Sequence, residues 1–264
     1  MYDFAYHKPA TLADAVKLLA ADPDAKAVSG GHTLIPALKL RLNKPSALVD
    51  LSGIAEMKGI RREGGALVIG ALTRHAEVAE SAEVKAAIPA LAYLAAHIGD
   101  VQVRNRGTLG GSVSNNDPAA DYPAAVLGLG ATVHTSKRKI AADDFFLGMF
   151  TTALEPDEIL VAISFPIPEK AGYAKMKNPA SRYVMAGAFV SKGPMGVRVA
   201  INGAGPCVFR QSAMEAALAA QWSPEAVAGI KQDADGLNSD IHGSAEYRAH
   251  LVTVMAKRAV AAAG

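Results

Sequence analysis

Ser29-Gly30-Gly31-His32-Thr33-Leu34-Ile35-Pro36 follows the short run Lys26-Ala27-Val28 and leads into a segment that Pro45 stops. The order reads as strand, glycine turn, helix (Thr33 to about Leu42), then strand Leu48-Val49-Asp50-Leu51, which is one α/β unit. Glycines let backbone N–H groups approach a ligand with no Cβ in the way. A helix that starts just after such a turn adds a partial positive charge. The turn therefore suits a pyrophosphate, with the Thr33 hydroxyl beside it. A lone Gly-Gly pair is an ordinary tight turn.

A second stretch repeats the parts. Thr108-Leu109-Gly110-Gly111-Ser112 has two glycines flanked by two hydroxyls, and it leads to Asn115, Asn116, Asp117 and Asp121. These polar side chains can hydrogen-bond ribose or ribityl hydroxyls. Two phosphates joined as a dinucleotide can be held between two such turns. Competing nucleotide motifs fail: there is no Walker A sequence, and Gly128-Leu129-Gly130 and Gly203-Ala204-Gly205 lack the third glycine of a Rossmann fingerprint.

Around these turns, Thr11 can cap a helix carrying Leu12, Ala15, Val16 and Leu19. Ile60–Ala71 suggests paired strands turned at Gly64-Gly65, followed by helices near Arg74–Ser81 and Ala82–His97. Tyr122–Leu127 reads as a helix, and Ala131–Thr135, Ile159–Phe165, Tyr173–Lys177, Ala186–Ser191 and Gly196–Asn202 as strands. Helices at Gln211–Ala220, Pro224–Lys231 and Ser244–Ala262 finish the chain, the last capped by Ser244. Pro166, Pro168 and Gly172 mark a domain boundary.

The bulk composition narrows the function. With 264 residues, half of them hydrophobic, the chain can bury two cores. A formal charge of +2 implies no general attraction to nucleic acid. No apolar run reaches membrane-span length, and the N-terminus lacks a signal-peptide layout, so the expected location is cytoplasmic. The single cysteine, Cys207, excludes an internal disulfide and an iron–sulfur cluster held by this chain alone. Cys207 reads as a small packed residue. The histidines show no metal-ligand spacing.

Both long loops together carry a specific resemblance. Ser29 to Pro36 resembles the first FAD loop, and Val101-Gln102-Val103-Arg104-Asn105-Arg106-Gly107 through Ser112 the second loop, of the medium subunits of molybdenum hydroxylases. That family includes carbon monoxide and xanthine dehydrogenases. The similarity extends over Asn115–Asp121, Glu155–Leu160, Lys177 and Glu246-Tyr247-Arg248. It implies an α+β fold: a two-lobed FAD-binding domain of the PCMH type (1–171, lobes about 1–53 and 54–171), then a C-terminal domain (172–264) with a small antiparallel sheet and helices. It implies FAD as cofactor, with Ser29, Gly30, Gly31, His32, Thr33 and Leu34 and with Thr108, Gly110, Gly111 and Ser112 around the pyrophosphate. Asn115 and Asp121 would bind hydroxyls of the cofactor. Ile98 and Leu160 would pack near its rings, Lys177 would approach the flavin or its phosphate side, and Tyr183 would lie over the flavin. Asn116 stands where many relatives have alanine.

The resemblance further implies partners: a small 2Fe–2S subunit and a large molybdopterin subunit, in a dimer of heterotrimers. Electrons would pass from the cluster through FAD to an external acceptor, with no catalytic side chain in this subunit. Two rival readings are a self-contained FAD oxidoreductase and a flavin-free assembly module. His32 beside two glycines is read as structural rather than as a covalent flavin link. Arg104 and Arg106 can neutralise phosphate or be solvated, and Lys137-Arg138-Lys139 reads as a solvated hairpin tip. Gly110→Val is expected to abolish FAD retention in a folded chain.

Overall fold

A computed structural model describes residues 1–264. The first lobe runs β1 (Ala5–His7), α1 (Leu12–Ala21), β2 (Lys26–Val28), α2 (Leu34–Lys39) and β3 (Ala47–Asp50). Its three strands form an all-parallel sheet in the order β1-β3-β2. Thr11 caps α1 by accepting from the Asp14 N–H at 3.2 Å, as its sequence position predicts. Helix α2 is shorter than the sequence suggests: it ends at Lys39, and Arg41 turns left-handed at φ 59°.

The second lobe opens with the hairpin β4 (Ile60–Glu63) and β5 (Ala66–Gly70). Helices α3 (His75–Glu80), α4 (Ala82–Ala87) and α5 (Pro89–Ala96) follow. The expected single helix Ala82–His97 is two, because Ile88 precedes a proline and leaves the helical region (φ −142°, ψ 75°). Next come α6 (Val101–Arg104), α7 (Leu109–Asn115), α8 (Tyr122–Gly128), β6 (Thr132–Thr135), β7 (Lys139–Ala141) and α9 (Ala142–Phe145). A small hairpin, β8 (Phe146–Gly148) and β9 (Thr151–Thr152), precedes β10 (Leu160–Pro166). The five-stranded sheet is antiparallel, in the order β4-β5-β10-β6-β7.

The C-terminal sheet is antiparallel in the order β11 (Lys170–Lys177), β12 (Val184–Gly193), β13 (Gly196–Asn202) and β14 (Phe209–Arg210). Helices α10 (Ser212–Ala220), α11 (Pro224–Ala228) and α12 (Ala245–Ala262) follow, with Ser244 capping α12. Nearly all of β12 is buried, because the sheet is covered on both faces. Ala188, Val190, Val199 and Ile201 face a core shared with α10, α11 and α12. Tyr173, Phe189 and Ala200 face the larger core, which also holds the buried residues of α3, α5, α7 and α8. No helix is long and apolar enough to cross a membrane.

Hydrogen bonds tie this sheet to the connection between α7 and α8. The N–H groups of Gly203 and Val184 donate to the Pro118 and Ala119 carbonyls at 2.9 and 3.2 Å. Asn202 Nδ2 donates to the Ala120 carbonyl at 2.7 Å. Buried Arg198 donates to the Leu127 carbonyl at 2.9 Å and pairs with Asp143 at 2.6 Å. The expected solvated tip at Lys137–Lys139 is instead an ion-pair cluster. Lys137 meets Glu155 and Asp157 at 2.7 and 2.6 Å, and Arg138 meets buried Glu158 at 3.1 Å.

Candidate functional site

The two glycine stretches meet. Ser29 Oγ lies 3.1 Å from Thr108 Oγ1, joining the end of the first sheet to the start of α7. A Cβ on Gly30 would fall 2.8 Å from Gly107 Cα, and one on Gly111 would fall 2.7 Å from Ser29 Oγ. Both glycines are therefore needed for the close approach itself. Gly31 adds a positive φ of 73°.

The bends differ in what they offer a ligand. In the first, the backbone N–H groups of Gly30, Gly31, His32, Thr33 and Leu34 donate to no protein group. Gly30 and Gly31 are half-buried and His32 and Thr33 exposed, so this run of donors can be reached. The second stretch is a helix start rather than a turn. Thr108 caps it by accepting from the Gly111 N–H at 3.2 Å. The Leu109 and Gly110 N–H groups donate to the Thr73 and Ala71 carbonyls at 3.0 and 2.8 Å, and Ser112 N–H donates to the Thr108 carbonyl at 3.1 Å.

Gly110 is thus no phosphate donor. A Cβ there would meet Ala71 Cβ at 2.5 Å and Ala71 Cα at 2.9 Å. Gly110→Val therefore disrupts packing, against the expectation of a folded chain that merely loses its cofactor. The second stretch instead has the buried Thr108 hydroxyl, shared with Ser29 and the Gly111 N–H, and the half-buried Ser112.

His75 lies directly beneath this junction, with Nε2 at 2.5 Å from where a Gly107 Cβ would stand. It is buried, its Nδ1 has no partner, and burial, with the nearby His32 and Arg104 charges, depresses its pKa to about 3. It is a neutral packing residue, its ring 5.3 Å from that of Tyr122 and tilted 50° to it, and the Tyr122 hydroxyl likewise has no partner.

Beyond α7, half-buried Asn115 ends the helix and Asn116 turns left-handed at φ 44°. Asn116 is buried and structural: its amide donates to the Gly148 and Thr151 carbonyls at 2.7 and 2.9 Å. Its Nδ2 also lies 3.5 Å from Cys207 Sγ. This clamp holds the β8–β9 hairpin, where Phe150 is exposed with φ 53°. Asp121 is buried, and its Oδ1 accepts from Tyr173 at 2.7 Å and from Lys175 at 2.8 Å. Its Oδ2 has no hydrogen bond. Burial pushes the carboxyl pKa up, against the pull of the Lys175 ammonium.

Lys175 is a residue that sequence reading missed. Almost wholly buried, it also donates to the His97 carbonyl at 2.9 Å and the Arg182 carbonyl at 3.1 Å. It thereby gathers three candidate positions: Asp121, the turn carrying Ile98, and the hairpin carrying Tyr183. Lys177, exposed at the end of β11, lines a dent of about 150 Å³ with His97, Gly99, Arg104 and Arg182. Tyr183, half-exposed, instead lines a larger cleft of about 450 Å³ with Asp117, Phe150, Asp240 and Arg248. Leu160 is buried in the main core on β10 and lines neither opening. Arg104 is committed to carbonyls rather than solvated: it donates to those of Ile98 and Gly99 at 3.0 and 3.2 Å.

Comparison with known proteins gives the family. Residues 2–168 match the FAD binding domain in molybdopterin dehydrogenase, and residues 183–263 match the CO dehydrogenase flavoprotein C-terminal domain. The carbon monoxide dehydrogenase medium chain of Hydrogenophaga pseudoflava is 35% identical, over 98% of this chain and 96% of the relative. The nicotine 6-hydroxylase medium subunit of Paenarthrobacter nicotinovorans is also 35% identical, with the same coverage. The structure of CO dehydrogenase from Oligotropha carboxidovorans superposes with a TM-score of 0.91 at 34% identity, over 99% of this chain and 98% of that one. The chain belongs to the family of FAD-binding flavoprotein subunits of molybdopterin dehydrogenases.

Proposed function

We propose that this chain holds FAD between its two glycine stretches. It then serves as the electron-transfer subunit of a molybdenum hydroxylase. The observation that carries this reading is the free amide run Gly30–Leu34, set against a second element through the Ser29–Thr108 hydroxyl contact. Consecutive unpartnered N–H groups in a half-buried bend fit a diphosphate. Ser29, Thr33, Thr108 and Ser112 supply hydroxyls beside it, and His32 contributes its backbone. Asn115 and the unused Oδ2 of Asp121 take sugar or ribityl hydroxyls. Ile98, Lys177 and Tyr183 serve the ring systems, while Leu160, buried in the main core, offers them no open surface.

FAD, when bound, accepts and releases electrons singly or in pairs. The protein's own contribution is to hold it, orient it and exclude water from it. No nucleophile or base is required of this chain. The partners in this reading are a 2Fe–2S subunit that delivers electrons and a molybdopterin subunit that oxidises the substrate, assembled as a dimer of heterotrimers. Support comes from the single cysteine, which leaves no cluster ligands here, and from relatives named as medium chains. The FAD-binding domain is assigned to 1–171 and the C-terminal domain to 172–264.

The test is the absorbance of the purified chain after reconstitution with FAD. Flavin bands, and FAD released intact by acid, are expected. A chain that stays colourless with excess FAD would refute the proposal.

A further inference from the structure

We infer that Tyr173 and Asn202 are positioning residues for the cofactor: together they form a one-way hydrogen-bond relay that fixes Asp121 with Oδ2 as a free acceptor for a hydroxyl of the bound ligand. The inference rests on the FAD reading above and gives a task to two residues of the C-terminal sheet.

The relay starts at a backbone carbonyl. Asn202, on β13, donates from Nδ2 to the Ala120 carbonyl at 2.7 Å. That contact settles the orientation of the amide, since a flipped Oδ1 would face another oxygen. The second hydrogen of Nδ2 reaches the Tyr173 hydroxyl oxygen at 3.4 Å. Tyr173 therefore accepts from Asn202, and its single proton goes to Asp121 Oδ1 at 2.7 Å. Lys175 donates to the same oxygen at 2.8 Å. Asp121 directly precedes α8, where an aspartate ordinarily caps the helix, yet its side chain makes no cap hydrogen bond. Both donors that reach the carboxylate meet on Oδ1, and Oδ2 is left over.

The fold carries a cost to keep this arrangement. Asn202 Oδ1 is buried with no partner, a loss that an apolar side chain would avoid. Gly187, which lies between Lys175 and Asn202 across the three strands, makes the room. A Cβ there would fall 2.5 Å from Asn202 Oδ1 and 3.2 Å from the Tyr173 hydroxyl. The relay also selects the ligand group. A carboxylate oxygen accepts from a hydroxyl and repels a phosphate or a carbonyl. FAD carries such hydroxyls on its ribityl chain and on its ribose. Burial pushes the Asp121 carboxyl up, while Lys175, Tyr173 and His97 hold it down. The Tyr122 phenol, raised by burial, also faces Asp121, and Tyr93 faces Tyr173.

FAD affinity against pH tests the relay, because a residue that merely packs would not change the shape of the profile. Flavin fluorescence quenching gives Kd from about pH 4 to about pH 9, a span that covers the carboxylate range and above. Tyr173→Phe removes the hydroxyl and keeps the ring. Without that donor the Asp121 carboxyl takes up its proton at a higher pH. FAD should then bind about tenfold more weakly at the acid end, with a gap that closes as pH rises. In an Asp121→Asn background the same change should add no pH-dependent difference. His97 is common to all four chains and drops out of the comparison. A Tyr173→Phe profile that matches the wild type, or a loss of equal size at every pH, overturns the inference and leaves FAD binding standing. A wild-type chain that binds no FAD brings down both readings.

Asn202 is tested through Tyr173. Asn202→Ala should weaken FAD about fivefold in the wild-type background and add nothing in Tyr173→Phe. A full effect in both backgrounds would remove Asn202 from the relay. Riboflavin and ADP locate the hydroxyl. A Tyr173→Phe loss shared with riboflavin places it on the ribityl chain, and one shared with ADP places it on the ribose. A loss with neither, while both bind, denies the hydroxyl contact.

Discussion

Gly30→Ala separates the two bends with the smallest possible change. The added carbon would lie 2.8 Å from Gly107 Cα and 2.9 Å from the Arg106 carbonyl carbon, both backbone atoms that cannot rotate away. The Arg106 carbonyl oxygen would be nearer still, and ordinary contact begins near 3.4 Å, so the second stretch must retreat by about 1 Å. Overpacking of this kind costs about 1–3 kcal/mol, which lowers the midpoint of the cofactor-free chain by on the order of 2–10 °C. The larger effect falls on the ligand. If one or two amide–phosphate hydrogen bonds are lost, the cost is about 2–4 kcal/mol, or roughly 30- to 1000-fold in Kd. Flavin fluorescence quenching measures the Kd, and calorimetry of the cofactor-free chain measures the stability. Gly65→Ala is the control, since a Cβ there meets nothing within 4 Å. A Gly30→Ala chain that binds FAD as tightly as the wild type would refute the claim that the bends grip one diphosphate.

Three further outcomes are expected. Ser29→Ala and Thr108→Ala should couple in a double-mutant cycle by about 0.5–1.5 kcal/mol in unfolding free energy, with Thr108→Ala the costlier single change because it also loses a helix cap; additive effects would deny the 3.1 Å contact. His75 stays neutral when folded, with a pKa of about 3 against 6.5 unfolded, so its stabilisation is complete above pH 6.5 and is lost as pH falls below it. Denaturation of wild type against His75→Phe should therefore diverge by up to about 1.4 kcal/mol per pH unit between those values, and parallel curves would contradict the assignment. Glu158 is held down to about 2 by its hydrogen bonds from Arg138, Thr135 and Glu155 N–H, which outweigh its burial. Glu158→Gln should lower the thermal midpoint at pH 7 and make little difference near pH 2, where the native carboxylate is itself being protonated; equal effects at both would argue against an ionised Glu158.

The parts of the site visible in the sequence were those with local chemistry. Ser29-Gly30-Gly31 after a strand and Thr108-Leu109-Gly110-Gly111 before polar residues announce themselves by residue type. Whether the glycines sit in a turn or a helix was not visible. Glycine disfavours helix by about 1 kcal/mol, and only the Thr108 cap and the fit of Gly110 against Ala71 reverse that preference. The break at Ile88-Pro89 was missed, because the alanine-rich run around it reads as one helix even though the residue before proline avoids the helical region. Lys175 was missed too. In Ala174-Lys175-Met176-Lys177 two lysines alternate as solvent-facing strand residues would, and nothing local tells the buried one from the exposed one. Arg182 and Gly99 were hidden for the same reason: their partners come from segments distant in the chain.

The Pro118, Ala119 and Ala120 carbonyls, with Leu127 further on, find their donors in the C-terminal sheet. Cutting the chain after its first domain would therefore uncap the link between α7 and α8 and strip Asp121 of both Tyr173 and Lys175. In the proposed reading, where Asp121 meets the cofactor, whatever closes the last sheet onto that link also tightens the grip on FAD, and by thermodynamic reciprocity the loaded cofactor resists the parting of the two halves.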